Sequence, residues 1–202
     1  KSNYLIVIKI NNKIKNFLVN SETAEYMDNL LATIAVISNF YSLENLSDKL
    51  LLNFNTPKGR GNIVDLKVGF KNFKIVDESY NSNPLSLKFA INKFDRIKID
   101  PKRKNILLGD MLELGRFSKK FHIKIAKFIN DSQINKIYVY GKHTKHTFDN
   151  IKTQKKGKIF NNKNEIIDFI KNDLSNNDYL MIKGSNATGL NEVISKFTRG
   201  EV

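Results

Sequence analysis

Eight consecutive residues concentrate groups that could bind or activate a ligand: Asp77-Glu78-Ser79-Tyr80-Asn81-Ser82-Asn83-Pro84. They follow Phe73-Lys74-Ile75-Val76, a β-branched and aromatic run that reads as a buried strand. They precede Leu85 to Ile97, where Leu87, Ala90, Ile91, Phe94 and Ile97 recur at the spacing of one helix face. That spacing predicts a helix over 84–97, with Asn83 at the N-cap and Pro84 at the first helical position. Two carboxylates, a phenol and two amides are thus delivered to a helix N-terminus at the end of a strand, the edge where open α/β sheets bind ligands. Asp77 and Glu78 could hold a ribose hydroxyl, a magnesium ion or an attacking amine. The competing reading is that Asp77 caps a turn and Glu78 is simply exposed, and spacing alone favours it slightly. Asn81 and Asn83 could face a ligand, or form a turn and an N-cap.

Two further stretches have the same strand-to-helix character. Gly109-Asp110-Met111-Leu112-Glu113-Leu114-Gly115 sets two acids between glycines and suits a phosphate ligand with magnesium as well as an ordinary connection. Lys183-Gly184-Ser185-Asn186-Ala187-Thr188-Gly189 has glycines spaced as in part of a P-loop, but Leu190-Asn191 stand where Lys-Ser/Thr would be. ATP cleavage by this loop is therefore excluded, while an anion site at the helix N-terminus stays open. His122 shares a helix face with Ala126 and Ile129 and is expected to be structural. With His143 and His146 it has no metal-ligand spacing, so no metal site is expected.

The elements that must position these loops alternate. Tyr4–Ile10 and Ile14–Val19 read as a hairpin joined by Asn11-Asn12-Lys13, Glu25–Phe40 as a helix, and Leu43–Leu52 as a shorter one. Thr56-Pro57-Lys58-Gly59-Arg60-Gly61 marks a boundary. Beyond it come strands 64–70, 73–76, 105–108, 136–140, 158–160 and 179–182, interleaved with helices 84–97, 118–129 (Ser118 as cap), 144–151, 163–174 and 189–197. Such alternation predicts an α/β fold: a Rossmann-like, mostly parallel sheet with helices on both faces. The 41% hydrophobic content of 202 residues supports a packed core. Without cysteine, disulfides and thiolate chemistry are excluded. The apolar run Leu30–Ile37, interrupted by Thr33, is too short to span a bilayer. No basic-then-apolar signal peptide opens the chain, which begins with Lys1 rather than methionine, and the expectation is a soluble piece of a longer protein. The net charge of +14 favours anionic partners, yet only five of 34 basic residues are arginine, a poor signature of specific nucleic-acid readout.

Together, Asp-Glu-Ser-Tyr-Asn-Ser-Asn-Pro at 77–84, Leu-Gly-Asp-Met-Leu-Glu-Leu-Gly at 108–115 with His122 downstream, and Ile-Lys-Gly-Ser at 182–185 resemble the C-terminal half of the Mur ligases. Gly59-Arg60 resembles the family's hinge arginine, and Asn29-Leu30-Leu31-Ala32 the end of its central ATPase domain. The resemblance implies that residues 1–56 are the tail of that central domain and 57–202 the complete C-terminal domain. The implied activity is ATP-dependent amide ligation through an acyl phosphate. The member that fits best adds D-alanyl-D-alanine to UDP-N-acetylmuramoyl-tripeptide in peptidoglycan synthesis. ATP and Mg2+ are the implied cofactors, with the main magnesium ligands outside these residues.

By the same resemblance Arg60 would reach the γ-phosphate, Asp77 would hold the ribose, Asn29 would face the adenine, and Tyr80 would lie near the nucleotide. Asn81, Asn83, Asp110, Glu113, Lys183 and Ser185 would serve the substrates. The implied setting is a cytoplasmic monomer with no nucleic-acid partner and no membrane insertion, and a chain inactive without the rest of the enzyme. Two positions depart from the family pattern: Glu25 stands where a histidine is usual, and Asn186 where an arginine is usual. The alternatives are a sister Mur ligase, a folylpolyglutamate synthase-type ligase, or a non-catalytic Rossmann-like module that binds nucleotide or RNA.

Overall fold

The computed structural model describes every residue except Lys1, Ser2, Glu25, Asn55 and Thr56, and it leaves the Glu22 side chain undescribed. The expectations placed on Glu25 and Thr56 lie outside the described residues. The chain divides into two compact units, Lys1–Pro57 and Lys58–Val202.

In the first unit, β1 (Asn3–Ile10) and β2 (Lys13–Asn20) form an antiparallel hairpin in which Ile10 faces Lys13. The turn is therefore Asn11-Asn12 alone, with φ of +48° and +61°. Asparagine tolerates this left-handed backbone, which matches the twist of paired strands. A short α1 (Ser21–Ala24) and α2 (Met27–Ile37) follow, and Leu30 and Ile34 of α2 pack with Ile8, Phe17 and Val19 of the hairpin. The helix predicted over Leu43–Leu52 is not formed. A single 3₁₀ turn, Leu43–Asn45, is followed by isolated turns. Ser47 accepts the Lys49 N–H with its side chain, and the Asp48 carbonyl accepts the Leu18 N–H at 2.8 Å, so local and strand bonds displace the helical ladder.

The second unit is a six-stranded sheet in the order β3-β4-β8-β5-β6-β7. Its strands are β3 (Asn62–Val68), β4 (Lys71–Glu78), β5 (Lys104–Gly109), β6 (Lys136–Tyr140), β7 (Lys156–Phe160) and β8 (Tyr179–Lys183). Only β3 runs antiparallel, paired to β4 by a two-residue turn at Gly69-Phe70; the other pairings are parallel. The interleaved helices are α3 (Pro84–Asp95), α4 (Ser118–Asp131), α5 (Thr144–Asn150), α6 (Lys163–Asn172) and α7 (Leu190–Thr198). Residues of α3, α4 and α5 pack with Ile106, Leu108, Val139 and Met181 on one face of the sheet. Those of α6 and α7 pack with Ile75, Leu107, Leu180 and Ile182 on the other. The chain is thus α/β, with a mostly parallel sheet covered on both faces.

Element ends shift by a few residues from expectation, and one cap differs. Ser118 is the first residue of α4 rather than its cap, and Phe117 occupies the N-cap without a side-chain bond. The Ser118 carbonyl instead serves the His122 ring, whose Nδ1 lies 2.8 Å away.

Candidate functional site

The chain leaves β4 and β5 toward one face of the sheet and β8, which lies between them, toward the other. Where neighbouring connections diverge in this way, a crevice opens at the carboxyl ends of the strands. The three loops singled out in the sequence all lie on this rim, and one side chain joins them. Ser185 is buried, donates from Oγ to the Ser82 carbonyl at 3.3 Å, and accepts the Leu112 N–H at 2.9 Å. Its own N–H donates to the Asp110 carbonyl at 2.9 Å.

Lys183 makes the second staple. Its side chain is only 3% exposed, and its ammonium donates to the Asn81 carbonyl at 2.9 Å and to Glu78 Oε2 at 3.4 Å. Burial is the main cause that lowers the Lys183 pKa and raises that of Glu78; their mutual attraction opposes both shifts. Glu78 is therefore not the exposed residue that spacing favoured. Asp77 follows the turn-capping reading, with Oδ1 accepting from both the N–H and the hydroxyl of Ser79, at 3.0 and 2.6 Å.

Asp110 is committed to backbone amides. Its carboxylate accepts the backbone N–H groups of Lys142, His143 and Thr144 at 3.0, 2.9 and 2.8 Å, closing the N-terminus of α5. Gly141 precedes these amides at φ +129°, and a Cβ there would lie 2.4 Å from Asp110 Oδ1. His122 is buried as expected, holding the same loop by accepting the Met111 N–H at Nε2. Burial is the main cause that lowers its pKa, which favours the neutral ring this geometry needs.

Tyr80 and Arg60 form an open corner of the rim. The Gly59 carbonyl accepts the Tyr80 N–H at 3.1 Å, and Gly59, at φ +81°, has no room for a side chain, since a Cβ would meet Tyr80 N at 2.9 Å. This close approach sets the Arg60 guanidinium 4.4 Å from the centre of the Tyr80 ring, which stays 47% exposed. Asn83 caps α3: its Oδ1 accepts the Ser86 N–H at 2.8 Å while Ser86 Oγ accepts the Asn83 N–H at 3.1 Å. Asn83→Ala should therefore cost about 1 kcal/mol in urea unfolding, and Asn83→Ser much less.

Asn81, Glu113 and Asn186 are exposed, Glu113 with a left-handed φ of +63°. Asn29 lies exposed on α2 in the first unit. One part of the rim was missed in the sequence. A groove of about 480 Å³ runs past Asp110, Gly141, Lys142, Lys145, Asn161 and Thr188. Its signal was present, because Gly141 follows a strand directly, as Gly184 does. Lys142 and Lys145 give this groove positive charge, while the amides at the start of α5 are already taken by Asp110. Among the described residues, no group of three His, Cys, Asp or Glu could hold a metal ion.

The sequence profile described as "Mur ligase, glutamate ligase domain" matches residues 59–186. A UDP-N-acetylmuramoyl-tripeptide–D-alanyl-D-alanine ligase of Rickettsia prowazekii is 27% identical over 188 residues, 93% of this chain and 40% of the relative. The ligase of the same name from the Buchnera aphidicola of Acyrthosiphon pisum is 33% identical over 122 residues, 59% of this chain and 26% of the relative. The chain thus spans well under half the length of the relatives it matches. Among solved structures, MurF ligase from Thermotoga maritima in complex with ADP superposes with a TM-score of 0.69 at 20% identity, covering 98% of this chain and 46% of that one. A MurF structure from Acinetobacter baumannii gives 0.70 at 18% identity, covering 96% and 42%. At these identities the superpositions carry the fold, while the profile match spans the rim from Gly59 to Asn186, and on that match the chain belongs to the Mur ligase family.

Proposed function

We propose that this chain is the C-terminal part of an ATP-dependent amide ligase that joins D-alanyl-D-alanine to UDP-N-acetylmuramoyl-tripeptide. Residues 58–202 act as its C-terminal domain, and residues 1–57 as the tail of its central ATP-binding domain. The observation that carries this reading is the rim itself, where Ser185 and Lys183 bind loops 79–83 and 110–112 into one surface. The names of the relatives supply the substrates.

The residues present fit part of a nucleotide site. Arg60 offers a cation for phosphate and Tyr80 an exposed ring beside it, while Asp77 Oδ1 is already engaged by Ser79 and leaves the other carboxylate oxygen for a hydroxyl. They do not supply a magnesium site, so the metal that neutralises phosphate charge would be held by the remainder of the enzyme. Within this chain, the part of the chemistry derived from structure is positioning. Lys183 and Ser185 hold the loops, so their place in the reaction is support rather than direct substrate contact, and Asp110 supports the amide-rich end of α5. Asn81 and Asn83 keep their place near the substrates through the loop they shape. Lys142 and Lys145 add positive potential where a carboxylate or phosphate would lie.

The test is ATP consumption by the full-length enzyme containing this chain. Turnover should require both the tripeptide nucleotide and D-alanyl-D-alanine, and Arg60→Ala should lower kcat/KM by about a hundredfold. Turnover by the 202 residues alone, or equal turnover with an unrelated L-amino acid in place of the dipeptide, would overturn the proposal.

A further inference from the structure

At the opposite, N-terminal edge of the parallel sheet, the starts of β5 and β6 and the turn after α6 line an open cavity of about 340 Å³. That is within the range of small-molecule sites. Asn105 lines it, is 4% exposed, and has a side-chain oxygen with no hydrogen-bond partner. Buried acceptors are rarely left this way, and such an atom calls for a donor.

The surroundings specify the sign of that donor. Asp173 and Asp178 both line the cavity. Asp173 is also the C-cap of α6, where the helix carbonyls already concentrate negative partial charge and an acid is the disfavoured choice. Lys71 offsets part of it by donating to the Asn172 carbonyl at 3.0 Å. Burial first, and then the charges of Asp173 and Asp178, hold the Tyr138 phenol above its usual range, so both acids act on the cavity wall. Of the cations that line it, Arg103 is paired with Asp178 Oδ1 at 3.2 Å, Lys136 donates to the carbonyls of Gln154 and Lys156, and Lys102 is exposed. Asp178 Oδ2 accepts the Ser175 N–H and Asp100 Oδ1 the Lys102 N–H, both at 2.9 Å, which leaves the exposed Asp173 as the lining carboxylate still to be met.

We propose that this cavity binds the primary ammonium group of a small organic amine. An alkylammonium carries three N–H donors, and Asn105 Oδ1, Asp173 and the Tyr138 hydroxyl are three acceptors for them. The Tyr138 ring and Leu174 give its carbon stem an apolar wall. A divalent cation fits less well, because calcium and magnesium take six or more oxygens and the carboxylates here are not clustered for that. The site lies at the other end of the strands from the rim and does not depend on the ligase reading.

The experiment titrates 1,4-diaminobutane into the 202-residue chain at constant ionic strength, by calorimetry and by the side-chain amide signal of Asn105. Saturable binding that shifts this signal is expected. Asp173→Asn and Asn105→Leu should each weaken binding by about tenfold or more. Asn105→Leu should at the same time raise Tm, because it removes the orphaned oxygen, and this separates lost binding from lost folding. Tetramethylammonium has the charge without the N–H donors and should not compete. Absence of saturable diamine binding would overturn the proposal. So would equal competition by tetramethylammonium or magnesium chloride, or undiminished binding by Asn105→Leu.

Discussion

Lys183→Met is expected to destabilise the protein by about 3–5 kcal/mol, because it strands the Glu78 carboxylate in a buried site without its cation. The Lys183 side chain is 3% exposed and that of Glu78 14%, so water replaces little of the lost contact. The Asn81 carbonyl loses its 2.9 Å donor as well. Adding Glu78→Gln should restore most of the loss, since the charge that made the single change costly is then gone. The pH dependence follows from the two shifts. Glu78 is raised above 4.5, so just above pH 4.5 the folded chain keeps a proton that the unfolded chain has released. Stability therefore falls as pH rises through that window. Lys183 is lowered below 10.5, so just below pH 10.5 the unfolded chain holds the extra proton and stability rises with pH. Between the two windows both groups are charged and both burial penalties are present. Subtracting the urea-unfolding free energy of the double variant from that of the wild type should give a trough around neutral pH. A single Lys183→Met variant as stable as the wild type would show that the pair is not buried in solution.

How much of this was legible in the sequence depended on whether the deciding interaction was local. Asn83-Pro84 announced a helix start because a cap and its partner Ser86 are three residues apart, and the structure has both bonds. The alternation of apolar runs gave the sheet and its helices because periodicity records which face is buried. Leu43–Leu52 failed for the opposite reason: the Asp48 carbonyl is claimed by Leu18, thirty residues earlier, and no pattern within the segment shows that. The rim divides in the same way. That three strand-end loops would share an edge followed from α/β topology. That Glu78 is buried against Lys183, 105 residues away, or that Asp110 points at amides more than thirty residues on, depends on the strand order β4-β8-β5-β6. Motif resemblance found these polar residues but assigned them to ligands, because a motif does not distinguish a side chain that touches substrate from one that holds the loop beneath it.

Asp110 is where that distinction can be measured. Asp110→Ala should lower stability by about 3 kcal/mol in urea unfolding, since three backbone N–H groups at the start of α5 lose a charged acceptor in a buried position. Asp110→Asn retains an oxygen for His143 and Thr144 but presents an amide N–H to that of Lys142, so its cost should fall between wild type and alanine. A substrate ligand would behave differently, with activity falling while stability held. Gly141 provides the internal check. Gly141→Ala should be strongly destabilising in the wild type, both from φ +129° and because its Cβ would sit 2.4 Å from the Asp110 carboxylate. In the Asp110→Ala background the carboxylate is absent and only the backbone strain remains, so the same change should cost distinctly less. Equal costs in the two backgrounds would mean that Asp110 does not occupy the cradle of amides that Gly141 opens, and that its carboxylate is available to a ligand after all.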